Sequence, residues 1–206
     1  MDEEILTLET LKQHHKKVKS EIQKKLEEFS KLKNSGDKEI FRELCFCILT
    51  AGTSAELGIK TINHIGDVIF YGLEEEIVNK LKKVYRFYNL RGRFIFLARD
   101  SFNNVDFSLG PLKLRDNIVE NIKGISYKEA SHFLRNIGYK GYAILDKHIV
   151  NCLFELGVIN SRIPPKNRIQ YLDVEEAMRS FALRNGIDFD ELDLVLWSWK
   201  TGKVLK

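Results

Sequence analysis

Cysteine and proline are both scarce in this chain, with three of each in 206 residues. Cys45, Cys47 and Cys152 are too few for a disulfide framework, and Cys45 and Cys47 lie in an apolar run, where they read as small core side chains. No four-cysteine cluster stands near the C-terminus, and the five histidines form no ligand pattern with carboxylates. No metal is therefore expected. No run of 18 apolar residues occurs, so no membrane-spanning helix is expected. The first residues are acidic and charged rather than basic and then apolar, which is not the pattern of a secretory signal, and a cytoplasmic protein is expected. Internal repeats and low-complexity segments are absent. An excess of one sign of charge is nearly absent too: 33 Lys and Arg against 29 Asp and Glu leave a net charge of +4, which permits nucleic-acid binding without arguing for it.

What is present is helical periodicity in a composition of 44% hydrophobic and 30% charged residues, enough for a full core. A long charged pattern at 8–33 carries an intermittent stripe of Leu8, Leu11, Val18, Ile22, Leu26 and Phe29. Asp37 reads as the cap of a second helix that runs through Phe41 to Ala51 and is apolar nearly all round at its C-terminal end, hence buried. Helices are predicted at about 54–65, 73–84, 88–102, 112–122, 127–137, 147–156, 173–185 and 189–200. No stretch argues for a strand, and the fold class is all-α.

Two segments combine charge with unusual local chemistry. Tyr85-Arg86-Phe87-Tyr88 interleaves a cation with three aromatics. Aromatic platforms offer a displaced base about 1–3 kcal/mol of stacking, comparable with the few kcal/mol that extruding it costs. The helix after it presents Arg91 and Arg93, which read equally as phosphate contacts and as surface charges. The second segment, 121–150, holds the hairpin Lys123-Gly124-Ile125-Ser126 between two helical patterns. Ser126 and Glu129 have capping-box spacing. Ala130, Phe133, Leu134 and Ile137 form one apolar face, which Gly138 can close in the left-handed conformation. Lys128 thus falls in the first turn, where the helix dipole disfavours a cation. An amine with a pKa of about 10.4 is almost wholly protonated at neutral pH; dipole and burial both push in the direction a nucleophilic amine needs. Asp146 reads as the N-cap of the next helix, a position that keeps a carboxylate ionised.

The run Tyr127-Lys128-Glu129-Ala130-Ser131-His132-Phe133-Leu134-Arg135-Asn136, with Leu145-Asp146-Lys147-His148-Ile149, resembles the helix-hairpin-helix motif of the DNA glycosylase superfamily in its lysine-bearing, bifunctional form. Within it the chain is most similar to the archaeal-type (type 2) 8-oxoguanine DNA glycosylase/AP lyases, from about Phe41 to Lys206. The missing cysteine cluster sets it apart from the endonuclease-III branch. The resemblance implies two interleaved helical subdomains with the active-site cleft between them, residues 1–206 forming a single glycosylase unit and the helix-hairpin-helix lying at about 112–137. It implies Lys128 as nucleophile and Asp146 as its catalytic carboxylate. Phe87, His132, Asp193, Trp197 and the C-terminal Lys206 fall where base-binding groups stand in the family. Gly52 and Thr53 fall in the loop that fills the gap left by a flipped base, and Gly124 and Ser126 in the hairpin that grips phosphate.

Two positions depart from the family pattern, since Gly52 stands where asparagine is common and Ser126 where a second glycine is usual. Trp199 has no counterpart. The implied partner is double-stranded DNA containing 8-oxoguanine, bound by a monomeric prokaryotic protein that meets the nucleoid through DNA. The implied chemistry flips and excises the oxidised base through a lysine Schiff base and cuts the strand by β-elimination, with no cofactor required. The same chemistry on another oxidised base, and a non-catalytic helix-hairpin-helix DNA-binding module, are the alternatives.

Overall fold

The computed structural model describes residues 5–205. Their regular structure is helical: α1 (Leu8–Leu32), α2 (Asp37–Thr50), α3 (Ala55–Ile65), α4 (Val68–Tyr71), α5 (Glu74–Lys82), α6 (Tyr88–Phe102), α7 (Pro111–Asn121), α8 (Tyr127–Asn136), α9 (Lys147–Glu155), α10 (Arg168–Asn185) and α11 (Phe189–Thr201). The all-α expectation holds, and the helix-hairpin-helix falls on α7, the hairpin and α8. Three details differ from the sequence reading. Gly36, not Asp37, is the N-cap of α2, and Asp37 instead begins its first turn, where the dipole still favours a carboxylate. The helix α4 was not expected, because its four residues, flanked by Gly66 and Gly72, are too few to show a period. And α10 starts at Arg168, well before 173, because the Asn167 side chain accepts from Gln170 N–H and caps an extra turn. Among the described residues no helix is long and apolar enough to cross a membrane.

The chain divides into two compact units, one of residues 31–137 and one of residues up to 30 together with those from 138 onward. In the first, α2 is the central element. Leu44, Cys45, Phe46, Cys47, Ile48 and Leu49 are all fully buried, as its all-round apolar end requires. It packs on α3, α6 and α8, while α5 packs on α6 and α7 on α8. Full burial of each large side chain here stabilises by about 1.5–3 kcal/mol. Two hydrogen bonds join polar side chains inside this core: Asn136 Nδ2 donates to Glu43 Oε1 at 2.7 Å, and Arg115 Nη1 to Ser131 Oγ at 3.1 Å.

In the second unit α11 packs on α9 and α10. The charged α1 belongs to the same unit: His14 Nε2 lies 2.8 Å from Ser198 Oγ, His15 Nε2 lies 2.6 Å from Glu191 Oε2, and the His14 ring meets the Trp199 ring edge-on at 5.4 Å. Trp199 is therefore part of the seam between α1 and α11. Burial pushes the Cys152 thiol up to about 12 and drives that of Cys45 upward as well, so both are inert packing groups.

Candidate active site and nucleic-acid interface

The hairpin in the first unit is shaped by one glycine. Gly124 has φ +87°, and a Cβ there would sit 2.2 Å from the Phe94 ring of α6. Only a residue without a side chain allows both the left-handed turn and this close approach. Directly after it, Glu129 reaches back to accept from Ser126 N–H at 3.2 Å and from the Ser126 hydroxyl, so the capping box forms. Lys128 follows in the first turn of α8, its side chain a quarter exposed, with Nζ 3.0 Å from Glu129 Oε1. The expectation of an amine alone against the helix dipole is thus modified, because an adjacent carboxylate offsets it. Glu129 is itself buried at 7% exposure. Burial pushes its carboxyl up, but the Lys128 charge and the Ser126 hydrogen bonds outweigh that and hold it below the usual carboxylate range. One oxygen of Glu129 serves the hairpin and the other the lysine.

The α2–α3 turn shows the same economy. Gly52 is exposed at its apex with φ +80° and open space around its Cα. Thr53 Oγ1 donates to Leu49 O at 2.8 Å and Thr53 N–H to Thr50 O at 3.1 Å, fastening the turn to the end of α2. Arg91 is half-buried and bonded to backbone: Nη2 donates to Ala51 O at 2.9 Å and Nη1 to Gly124 O at 3.4 Å. Its Nε is buried without a hydrogen-bond partner, a condition that costs about 1–3 kcal/mol. Arg93, by contrast, is exposed.

Phe87 caps the N-terminus of α6, half-buried, with the Arg86 guanidinium 4.4 Å from its ring centre and Tyr85 edge-on at 6.3 Å. One face of that ring thus carries a cation. His132, one helical turn after Lys128, is buried at 7% exposure with its ring against Phe46 at 5.6 Å.

In the second unit Asp146 stands at the end of a buried, non-helical segment. Tyr142, Ala143, Ile144 and Leu145 are all buried, and without a ladder their amides need side-chain acceptors. The sequence supplies these from α10 and α11. Gly141 N–H donates to Asp190 Oδ1 (2.7 Å), Ala143 N–H to Glu175 Oε1 (2.9 Å), Ile144 N–H to Asp193 Oδ1 (3.0 Å) and Leu145 N–H to the Tyr171 hydroxyl oxygen (3.2 Å). Asp193 is 2% exposed, so it meets the backbone two residues before Asp146 rather than an open surface. Asp146 then caps α9 through one oxygen, Oδ1, which accepts from His148 N–H at 2.8 Å and Ile149 N–H at 2.9 Å.

Trp197 is half-buried, and its ring lies 5.4 Å from that of His148 at an interplanar angle of 32°. Asp146 and Trp197 are thereby brought together through His148, an exposed residue the sequence reading quoted without a role. Lys206 lies outside the described residues. Among the described residues no group of three or more His, Cys, Asp and Glu side chains is placed to hold a metal.

Comparison with known proteins gives this arrangement a context. The family model described as 8-oxoguanine DNA glycosylase matches residues 22–187. The chain is 42% identical over 207 aligned residues to the 8-oxoguanine DNA glycosylase/AP lyase of Methanocaldococcus jannaschii, covering 98% of this chain and 99% of that one. It is 40% identical to the enzyme of the same name from Korarchaeum cryptofilum, with 92% of each chain covered. Among solved structures, the M. jannaschii glycosylase/lyase in complex with a 15mer DNA containing 8-oxoguanine superposes with a TM-score of 0.90 at 40% identity over 97% of this chain and 99% of that one. The 8-oxoguanine DNA glycosylase of Thermotoga maritima gives 0.89 at 37% identity over 97% and 98%. A family match over most of the chain, with relatives this similar along their whole length, makes it a member of the 8-oxoguanine DNA glycosylase family.

Proposed function

We propose that residues 1–206 form a single bifunctional DNA glycosylase/AP lyase that removes 8-oxoguanine from duplex DNA and then cuts the strand. The observation that carries this reading is a half-buried lysine in the first turn of a helix, directly behind a glycine hairpin, in a chain 40% identical to an enzyme solved with 8-oxoguanine DNA.

In this reading the hairpin backbone around Gly124 and Ser126 grips phosphate without reading sequence. The Gly52–Thr53 turn enters the duplex where the base has left. Phe87 and Trp197 each offer the extruded base an aromatic surface of the kind that offsets unstacking, and Lys206 is a further base-binding group. His132 borders the lysine, and Asp193 acts through the segment it holds. Lys128, as the neutral amine, attacks C1′, and the bond from C1′ to the base breaks with the electron pair leaving on the base. Asp146 stabilises the positive charge that develops on the sugar. Opening of the sugar gives the Schiff base, loss of a C2′ proton expels the 3′ phosphate by β-elimination, and water releases the lysine. These steps use side chains alone. The protein works as a monomer in the cytoplasm.

Borohydride trapping on a duplex with a single 8-oxoguanine tests this directly. The parent chain is expected to give a covalent adduct and Lys128→Gln none, with duplex binding nearly intact. If neither chain traps DNA or releases base, the chain is a binding module; Lys128→Gln should then merely weaken binding and lower the salt slope by about one. Preference for another oxidised base in a competition among lesion duplexes would move the substrate assignment.

A further inference from the structure

The hairpin and the gap-filling turn come from distant parts of the sequence, and a single guanidinium joins them. Arg91 on α6 donates to the carbonyl of Ala51, next to Gly52, and to the carbonyl of Gly124 in the hairpin. Two further observations make α6 a common support. The Phe94 ring occupies the space beside Gly124 where any Cβ would fall, and the Arg91 guanidinium lies 5.6 Å from the centre of that ring. In the segment just before α6 the Tyr85 hydroxyl donates to Leu49 O at 2.5 Å, so the C-terminal end of α2, which carries the turn, is held as well. Helix ends leave carbonyls unsatisfied, and a cation is the favoured partner for them. Lysine could satisfy one of the two carbonyls, but the planar fork of arginine is what spans both.

From this we infer that Arg91 is a positioning residue that fixes the hairpin and the α2–α3 turn in one register, so that the grip on phosphate and the filling of the gap act on the same nucleotide. The inference rests on the reading of these two segments as DNA contacts. A brace between them sets where the lesion sits, not how many phosphates are neutralised. Its loss therefore lowers the rate of excision while leaving the electrostatic part of binding alone.

The test compares Arg91→Gln and Arg91→Lys with the parent chain on an 8-oxoguanine duplex under single turnover. Salt titration of binding and the fluorescence of 2-aminopurine beside the lesion are followed in parallel. Excision is expected to fall about 10- to 100-fold, the cost of a small misplacement, with a weaker fluorescence change and an unchanged salt slope. Lysine should not rescue it. Rescue by lysine, or a salt slope lowered by about one in Arg91→Gln, would make Arg91 a phosphate contact and overturn the brace; parent-like excision in both variants would overturn it as well. If Arg91→Gln does not fold, Arg91→Lys alone decides by the same criteria. Gly52→Ala and Gly124→Ala separate the two layers. If neither changes duplex binding, the DNA-contact reading fails, whereas if they do and the Arg91 variants behave as parent, only the brace fails.

Discussion

Lys128 and Asp146 both stand at the N-terminus of a helix, and the two units prepare that position by different means. For Asp146 the helix end is favourable, since two backbone N–H groups meet its carboxylate. What the fold must supply there is a rigid approach, and it does so with a buried segment whose amides are held by side chains of α10 and α11. For Lys128 the helix end is unfavourable, and the fold supplies an ionised neighbour in Glu129. The anion lies beside its hairpin rather than at the end of a long frame. One group is thus positioned by packing and the other by charge, and perturbing each should give different symptoms.

The largest effect is expected at Asp146. Asparagine is as good a cap as aspartate, so Asp146→Asn should leave the melting temperature within a degree or two while removing the charge on which the proposed chemistry depends. A fall in single-turnover excision of about 10²–10⁴-fold is expected, the range seen when a charged catalytic group is removed. Excision close to parent would reduce Asp146 to a cap and break the comparison on its stronger side.

Next comes the hairpin. Gly124→Ala adds a side chain at φ +87° and 2.2 Å from Phe94, whereas Gly186→Ala, at the C-cap of α10, meets the same kind of backbone strain (φ +65°) with open space around it. The backbone cost alone is about 1–2 kcal/mol, or roughly 2–8 °C in Tm for a chain of this size. Gly186→Ala should show that and no more. Gly124→Ala should exceed it and weaken duplex binding as well, and equal losses in the two would mean that Phe94 yields freely and that α6 does not support the hairpin.

How far these arrangements could be read in advance depends on distance along the chain. The capping box, the left-handed glycine after α8 and the Asp146 cap are set by residues within a few positions of one another, and the sequence pattern predicted all three. Arg91 was legible only as a cation on a helix, because its partners, Ala51 and Gly124, are 40 and 33 residues away. Asp193 is placed among base-binding groups by the resemblance alone and Glu175 carries no signal in the sequence, because the amides they accept from lie 49 and 32 residues away. Nothing local shows that 142–145 is a buried segment short of acceptors, although its unbroken Tyr-Ala-Ile-Leu run, with no helical partner pattern, was the available signal. His148 carried a fainter one, two residues after the cap and matched to an aromatic on α11. The α2–α3 glycine apex is local and was visible as a turn at Gly52.

The smallest effect is also the one that sets the two units directly against each other. Glu129 and Asp190 are both partly buried carboxylates accepting backbone N–H bonds, yet they are shifted in opposite directions. The Lys128 charge and the Ser126 hydrogen bonds outweigh burial at Glu129 and lower it. At Asp190 burial prevails over the Gly141 hydrogen bond, and it is raised from 3.8. A lowered carboxyl contributes stability that is present above its unfolded value, 4.5 for Glu129, and is lost as pH falls through the folded one. A raised carboxyl does the reverse: its contribution is complete below 3.8 and is lost as pH rises through its folded value. Across the window from about pH 6 to 3, Glu129→Gln should therefore flatten the acid loss of stability, by no more than about 1.4 kcal/mol per pH unit for one proton. Asp190→Asn should steepen it, because the group that opposes acid unfolding is gone. Denaturant titrations at several pH values measure both slopes. Changes of the same sign would mean that Glu129 is governed by burial like Asp190, and that charge from Lys128 does not set the balance at the hairpin.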